Sequence, residues 1–312
     1  MALTLVEASK LSQDLLLKGV IETIIKDSPI LQRLPFIELV GDGLTYNREN
    51  TLPTVDFYAV GDTWAESTPT FTKVTSNLAI MGGDADVDNF LKATRSNVQD
   101  VEAAVIELKS KAARHKFEET FIYGDSSTNA KQFDGLRKII DLTTPGSQVV
   151  CLGPTNTGDA LAKTNLIKID ATVDKVLGGK PDMLLMSKAT LRAINDVVRQ
   201  SGGYMASDKD EYGNVITRWN GIPMYTSDWI LDTHAYDGSK ETATTTGNCS
   251  VLYAFQLGEG ALSGLTGPGN LVVEPVGQLE TKDATRTRIK WYVSLALFST
   301  VKAAALIGIK HA

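Results

Sequence analysis

Cysteine is almost absent from this chain of 312 residues, with only Cys151 and Cys249 present. Neither belongs to a CxxC or Cys/His pattern, so the spacing argues against a zinc site and against a disulfide framework. Histidine is equally sparse: His115, His234 and His311 stand in no GxSxG or HExxH context and beside no reactive cysteine. A phosphate-cradling loop is missing too. Gly258, Gly260 and Gly264 lack the P-loop spacing and the Lys-Ser/Thr that follows it. There is no excess of positive charge. The net charge is −6, which excludes the overall basic field of a dedicated nucleic-acid binder. The N-terminus has no basic stretch leading into an apolar one, so no signal peptide is expected, and the sequon Asn248-Cys249-Ser250 is expected to be inert. The one long apolar run, Trp291 to Ile309, is interrupted by Lys302. A lysine near the middle of a membrane span costs roughly 2.5–3.5 kcal/mol, and the run's β-branched and aromatic residues read as buried strand.

What the sequence does have is one long helical pattern, Ser96 to Gly124. Ser96 and Gln99 form a capping box, and Val98, Val101, Val105, Leu108 and Ala112 recur as an apolar stripe. Asp100 and Glu102 open it, Lys109, Lys111, Arg114 and Lys116 follow in its second half, and Gly124 supplies the stop. About 25 helical residues would reach roughly 38 Å. Upstream, residues 1–27 carry a second amphipathic segment with a capping box at Thr4 and Glu7, readable as a surface helix or as an arm. Residues 44–90 read as two extended stretches, 44–59 and 70–89, around a turn-rich tip. Their arms would span roughly 46 Å. An isolated two-stranded hairpin is marginal in water, so this one is expected to lean on a neighbour, with Trp64 as the tip contact. Asp84, Asp86 and Asp88 resemble the start of a calcium loop. However, Asn89 stands where its glycine should be and Arg95 where its glutamate should be. On a strand the three carboxylates share one face, which reads as a solvated or subunit-facing acidic row.

Downstream, Gly146 to Gly158 marks a domain boundary, and residues 159–270 alternate helix and strand. Thr164 and Ser187 are candidate caps, Met183–Met186 a short buried strand, and Thr233–Asn248 a mobile stretch. Residues 271–280 and 285–306 read as the final strands, with Arg286 and Arg288 at a basic entry.

This order of parts resembles the tailed-phage major capsid proteins of the HK97-fold family. The local stretches that carry the likeness are Ser28-Pro29-Ile30-Leu31 with Leu34-Pro35, Gly124 with Phe133-Asp134-Gly135-Leu136, and Pro181 to Met186 before Ser187. Asn220-Gly221-Ile222-Pro223-Met224 and Arg286-Thr287-Arg288 complete the set. The resemblance implies an α+β fold: an N-terminal arm and linker (1–43), an extended E-loop hairpin (44–90), and a peripheral P domain with a spine helix (91–150). An axial A domain (151–270) and C-terminal strands returning to the P domain (271–312) follow. It also implies a non-enzymatic protein without cofactor or metal. Such a protein assembles into pentamers and hexamers around double-stranded DNA that it contacts only weakly, away from any membrane, with portal, scaffolding and cement proteins as further partners. Trp64, Glu66, Phe71, Lys73, Asp84, Asp86, Asp88, Arg114, Lys116, Arg286 and Arg288 are then the subunit-interface candidates. Covalent crosslinking through Lys73 is not expected, because no asparagine or glutamate partner can be matched. Two other readings stay open: an encapsulin-like nanocompartment, and a soluble α/β enzyme with a dimerisation arm, which would need a nucleophile and base that the sequence does not display.

Overall fold

The structure, a computed structural model, describes residues 29–95, 101–144, 146–153, 158–203, 205–209, 215–269 and 271–311. The N-terminal segment 1–27 and the capping box at Ser96 lie outside the described residues.

The chain enters with helix α1 (Ile30–Arg33) and strand β1 (Phe36–Glu38). Strands β2 (Gly43–Thr51) and β3 (Thr70–Asn77) pair only with each other, as an antiparallel hairpin. β4 (Ala79–Asp88) leads into helix α2 (Asn89–Arg95) and then into the spine, α3 (Val101–Tyr123). A single-turn helix, α4 (Leu136–Ile139), precedes β5 (Val149–Cys151) and β6 (Asp159–Ala160). Helix α5 (Ile167–Asp174), β7 (Met183–Met186), α6 (Lys188–Gln200), β8 (Ala206–Lys209), β9 (Val215–Trp219) and β10 (Ile222–Thr226) follow. The last third is β11 (Ala235–Tyr236), β12 (Glu241–Ala243), β13 (Cys249–Phe255), β14 (Leu262–Thr266), β15 (Val272–Gln278), β16 (Ala284–Leu297) and β17 (Ala303–Lys310).

Two main sheets result. A five-stranded sheet runs β1-β14-β16-β15, with β4 against the other side of β16; the second sheet runs β5-β17-β13-β7-β10-β9-β8, with β6 also on β17. Three sequence expectations change here. The second arm of the hairpin ends at Asn77, because Ala79–Asp88 pairs with β16 over ten registered positions. β14 lies in the first sheet although it falls within 151–270, and β17 lies in the second although it falls within 271–312. A 3-10 turn at Thr300–Lys302 breaks the apolar run of 291–309 and carries the chain from one sheet to the other. Among the described residues no helix is long and apolar enough to cross a membrane.

Each side of the second sheet is covered, so β13 and β17 are buried almost throughout. That is why they read as continuous apolar runs rather than as alternating patterns. Leu184, Met186, Leu252, Ala254, Ala304 and Leu306 face one core, while Met183, Leu185, Tyr253, Phe255, Ala303 and Ala305 face the other. The period-two split of a strand therefore serves two packed layers. Helix α6 is closed at its N-terminus as the sequence suggests: the Ser187 hydroxyl accepts from the Thr190 N–H at 3.2 Å. Thr164 plays no such part, since α5 starts after Leu166 without a side-chain cap.

The spine packs by its C-terminal half. Phe117, Phe121 and Ile122 are wholly buried. Phe117 meets Trp291 at 4.9 Å and Phe36 at 6.0 Å between ring centroids, and Phe121 meets Phe255 at 6.5 Å. The helix end is thus wedged between the two sheets. Of the stripe read from sequence, Leu108 is 50% exposed, Ala112 is exposed and Val105 is half-buried, while the side chains of Val98 and Val101 lie outside the described residues. The spine ends at Gly124, whose N–H bonds the Thr120 carbonyl at 2.7 Å. A Cβ there would stand 2.3 Å from the Phe133 carbonyl oxygen, so only glycine lets the returning chain approach.

Candidate assembly surfaces

The hairpin carries a run of six large apolar side chains that the fold leaves uncovered. Strand pairing runs from Gly43 opposite Asn77 to Thr51 opposite Thr70. Among the described residues the hairpin's side-chain bonds to the body come from β2. The Tyr46 hydroxyl donates to the Leu297 carbonyl at 3.0 Å, and Arg48 donates through Nε to the Phe298 carbonyl at 3.1 Å and through Nη2 to that of Leu297. The Tyr46 ring lies 4.9 Å from that of Phe298, and the Arg48 guanidinium 5.5 Å from the Tyr46 ring. These carbonyls become available because β16 ends at Leu297. Tyr46 and Arg48 were not singled out by sequence reading. Their two-residue spacing on a predicted strand, placing both on one face, was the available signal.

Beyond the paired strands, residues 52–69 form no strand. Val55, Phe57 and Val60 are about fully exposed, at 90%, 101% and 109% of their reference areas. Leu52, Trp64 and Phe71 are also largely exposed. Trp64 stacks on Tyr58 at 4.6 Å, and the Tyr58 hydroxyl accepts from the Ala65 N–H. The stretch 51–69 contains Asp56, Asp62 and Glu66 and no lysine or arginine. It is an acidic tip studded with apolar side chains. Fully burying one such side chain contributes about 1.5–3 kcal/mol, and the hairpin's own body does not supply that burial. Lys73 lies opposite Asn47 on the hairpin, exposed and away from the tip.

The acidic row and the basic entry meet each other within the chain. β4 and β16 place Asp86 opposite Arg286 and Asp84 opposite Arg288. Arg286 grips Asp86 through two bonds of 2.6 and 2.8 Å, and Arg288 grips Asp84 at 2.7 and 3.1 Å. Arg286 also reaches Asp84 at 3.2 Å, and Lys290 pairs with Glu274 at 2.7 Å. The Arg288 hydrogen bond holds the Asp84 carboxyl below its ordinary value, and the Arg286 hydrogen bond does the same for Asp86. Asp88 instead accepts from the Phe90 N–H at the start of α2. The spine's basic residues also have acidic partners in their own chain. Arg114 pairs with the buried Glu118 at 3.1 Å, and Lys116 with Glu119 at 2.9 Å. Glu118 further accepts from the Trp229 indole at 3.0 Å, and His115 packs edge-on against that ring.

One buried polar cluster escaped the sequence reading. Tyr123 at the spine's end lies 2.8 Å from His234 Nε2. His234 Nδ1 lies 3.0 Å from Glu241 Oε1, and Arg137 donates to the same oxygen at 2.7 Å. Tyr123 also accepts the Leu231 N–H at 2.9 Å. The stretch 233–248, expected to be mobile, therefore carries two anchors, His234 and Glu241, that are almost wholly buried. The carboxylate–imidazole–hydroxyl order resembles a nucleophilic triad. Yet burial pushes the Tyr123 phenol well above its ordinary value, which disfavours the charged, attacking form. What the arrangement does is tie the spine's end to the loops of the second sheet. Among the described residues no group of three or more His, Cys, Asp or Glu is placed to hold a metal ion.

Comparison with known proteins places this architecture. No curated protein matches the sequence. Among solved structures, the holo-SrpI encapsulin complex from Synechococcus elongatus superposes with a TM-score of 0.66 at 17% identity, covering 99% of this chain and 97% of that one. The capsid of the native GTA particle gives 0.65 at 15% identity over 93% of each chain. A structure from Mycobacterium phage Ogopogo gives 0.62 at 18% identity, covering 93% of this chain and 94% of that one. The model of the phage capsid family matches residues 11–249 of the 312. The chain therefore belongs to the phage capsid family and has the α+β HK97 fold of its shell proteins.

Proposed function

We propose that this capsid protein builds an icosahedral virion shell of pentamers and hexamers around packaged double-stranded DNA, assembled in the host cytoplasm. Its hairpin is the E-loop, its first sheet with the spine the P domain, and its second sheet the A domain. The observation that carries the reading is the hairpin tip: six large apolar side chains held away from any core, on a chain of the capsid family. Their burial against a neighbouring copy is the gain that drives association, and Trp64, Glu66, Phe71 and Lys73 belong to that contact. A subunit held by several neighbours gains effective concentration, so each contact can be weak. A net charge of −6 also suits a container, because strong attraction to phosphate would bind the DNA to the wall. Portal, scaffolding and cement proteins are the further partners of such a shell.

The test follows from the register. Thr51 and Thr70 face each other, so replacing residues 52–69 by Asn-Gly closes the ladder with a two-residue turn. The variant is expected to fold with unchanged circular dichroism and to form no shells in negative-stain microscopy. Normal shells would refute the E-loop assignment. The likeness to an encapsulin complex favours one second reading, a shell loaded with protein instead of DNA. Purified particles decide between the two: nuclease-protected duplex supports the virion, and a stoichiometric protein cargo supports the compartment.

A further inference from the structure

A cleft of about 610 Å³ opens on the second sheet, between α6, Leu161 and the end of β17. Its floor is apolar, built by Leu161, Leu191 and Val197. Its rim is cationic. Lys188 is neutralised by Asp228 at 2.7 Å, and His311 lies 3.1 Å from Asp232. Arg192, Arg199 and Lys310 have no side-chain partner among the described residues. The carboxylate on the rim, Asp196, accepts from Gln200 at 2.8 Å. On a chain of net charge −6, a concave site with three uncommitted cations inverts the local field. Such inversion is what electrostatic complementarity to a specific partner requires.

We propose that this cleft binds an extended acidic segment of another polypeptide, with an apolar side chain seated on the floor. Arg192 and Arg199 are two helical turns apart, about 10.5 Å. Carboxylates that share one face of an extended chain stand about 7 Å apart at a two-residue step and about 13 Å apart at a four-residue step. These spacings bracket that of the arginines, and their long side chains can meet either, so one short alternating peptide can engage both. Planar guanidinium groups grip carboxylates bidentately. The apolar floor distinguishes a peptide from a duplex, whose phosphates need a charged track and no floor.

The experiment is fluorescence anisotropy of the full chain with a labelled alternating Glu-Leu octapeptide, with the Gln-Leu octapeptide as control. Saturable binding of the acidic peptide is expected. It should weaken about tenfold or more in the triple variant R192Q/R199Q/K310Q, as truncated charge contacts do. It should also weaken between about 0.05 and 0.5 M salt. Equal binding of the two peptides, or undiminished binding by the variant, would overturn the proposal. Arg192 and Arg199 are exposed, so their replacement leaves the core alone; single variants at each position serve if the triple one melts early. If the variant keeps the wild-type melting temperature but forms no shells, the cleft is a contact between copies, and the proposal of a foreign partner fails.

Discussion

Replacing Arg48 by alanine separates the docking of the hairpin from the stability of the body. In the wild type, Arg48 supplies a 3.1 Å bond to the Phe298 carbonyl and a second bond to the Leu297 carbonyl. Tyr46 still donates to Leu297 in the variant, so that acceptor keeps a partner. Phe298 is half-buried, and water can replace the guanidinium there. A bond from a charged donor is worth about 1.5–3 kcal/mol; with partial replacement by water, the net loss is about 1–2 kcal/mol. Because the hairpin's ladder is a separate two-stranded sheet, this loss falls on local opening and not on global unfolding. A loss of that size multiplies the open population by about 5–30. Hydrogen exchange of the free subunit should therefore accelerate by that factor at 44–50 and 71–77, with unchanged rates in β13 and β17. Shell assembly should slow, because a hairpin that samples many directions presents its tip less often. Unchanged exchange in the hairpin, or acceleration spread evenly over both sheets, would refute the reasoning.

Three other outcomes follow from the packing and the charges. Phe117→Ala empties a fully buried site ringed by Phe36, Phe133 and Trp291, and urea titration should show about 3–5 kcal/mol of destabilisation; a loss below about 1 kcal/mol would mean that the spine is not the keystone described. Gly124→Ala forces a methyl to 2.3 Å from the Phe133 oxygen and 2.6 Å from the Thr120 oxygen, for a cost of about 1–3 kcal/mol by the same titration. Asp84 and Asp86 are held below their ordinary values by Arg288 and Arg286, so the stability they contribute is complete above the unfolded value of about 3.9 and is lost as pH falls through the depressed folded values. The melting temperature should hold from neutral pH to about pH 5 and then decline, while Asp86→Asn should start lower at neutral pH and decline less steeply; parallel curves would count against the pair.

Local patterns in the sequence were legible where short-range chemistry decides them. Ser187 was readable as a cap because its partner is three residues away. Met183–Met186 was readable as strand because burial on both sides removes the need for polar alternation. Long-range pairing was not legible. Asp86 and Arg286 are 200 residues apart, and nothing in either stretch announces the other. Read separately, an acidic row and a basic strand entry look like two surfaces offered to neighbours; read in register, they neutralise each other within one sheet. The spine shows the same limit. Its period was visible, but the buried part was set by where the sheets lie, and they cover Phe117 and Phe121 rather than Leu108.

That division of charges and packing has a consequence for assembly. The body has its own closed economy of contacts: two cores, the aromatic wedge at the spine's end, and the paired ladder of β4 and β16. The hairpin has almost none. Beyond its ladder, the contacts described between hairpin and body rest on Tyr46 and Arg48, while six large apolar side chains stay in water. Natural monomers rarely leave so much apolar surface together without a partner for it. Selection on stability alone would have shortened the tip, since closing Thr51 to Thr70 by two residues would spare the ordering entropy of about sixteen others. Under the proposed function the tip is retained because its burial is deferred to a neighbouring copy. Tip substitutions such as Phe57→Ser and Trp64→Ser should therefore leave the subunit's melting temperature within about 2 °C while abolishing shells, a separation that an arm packed on its own core could not show.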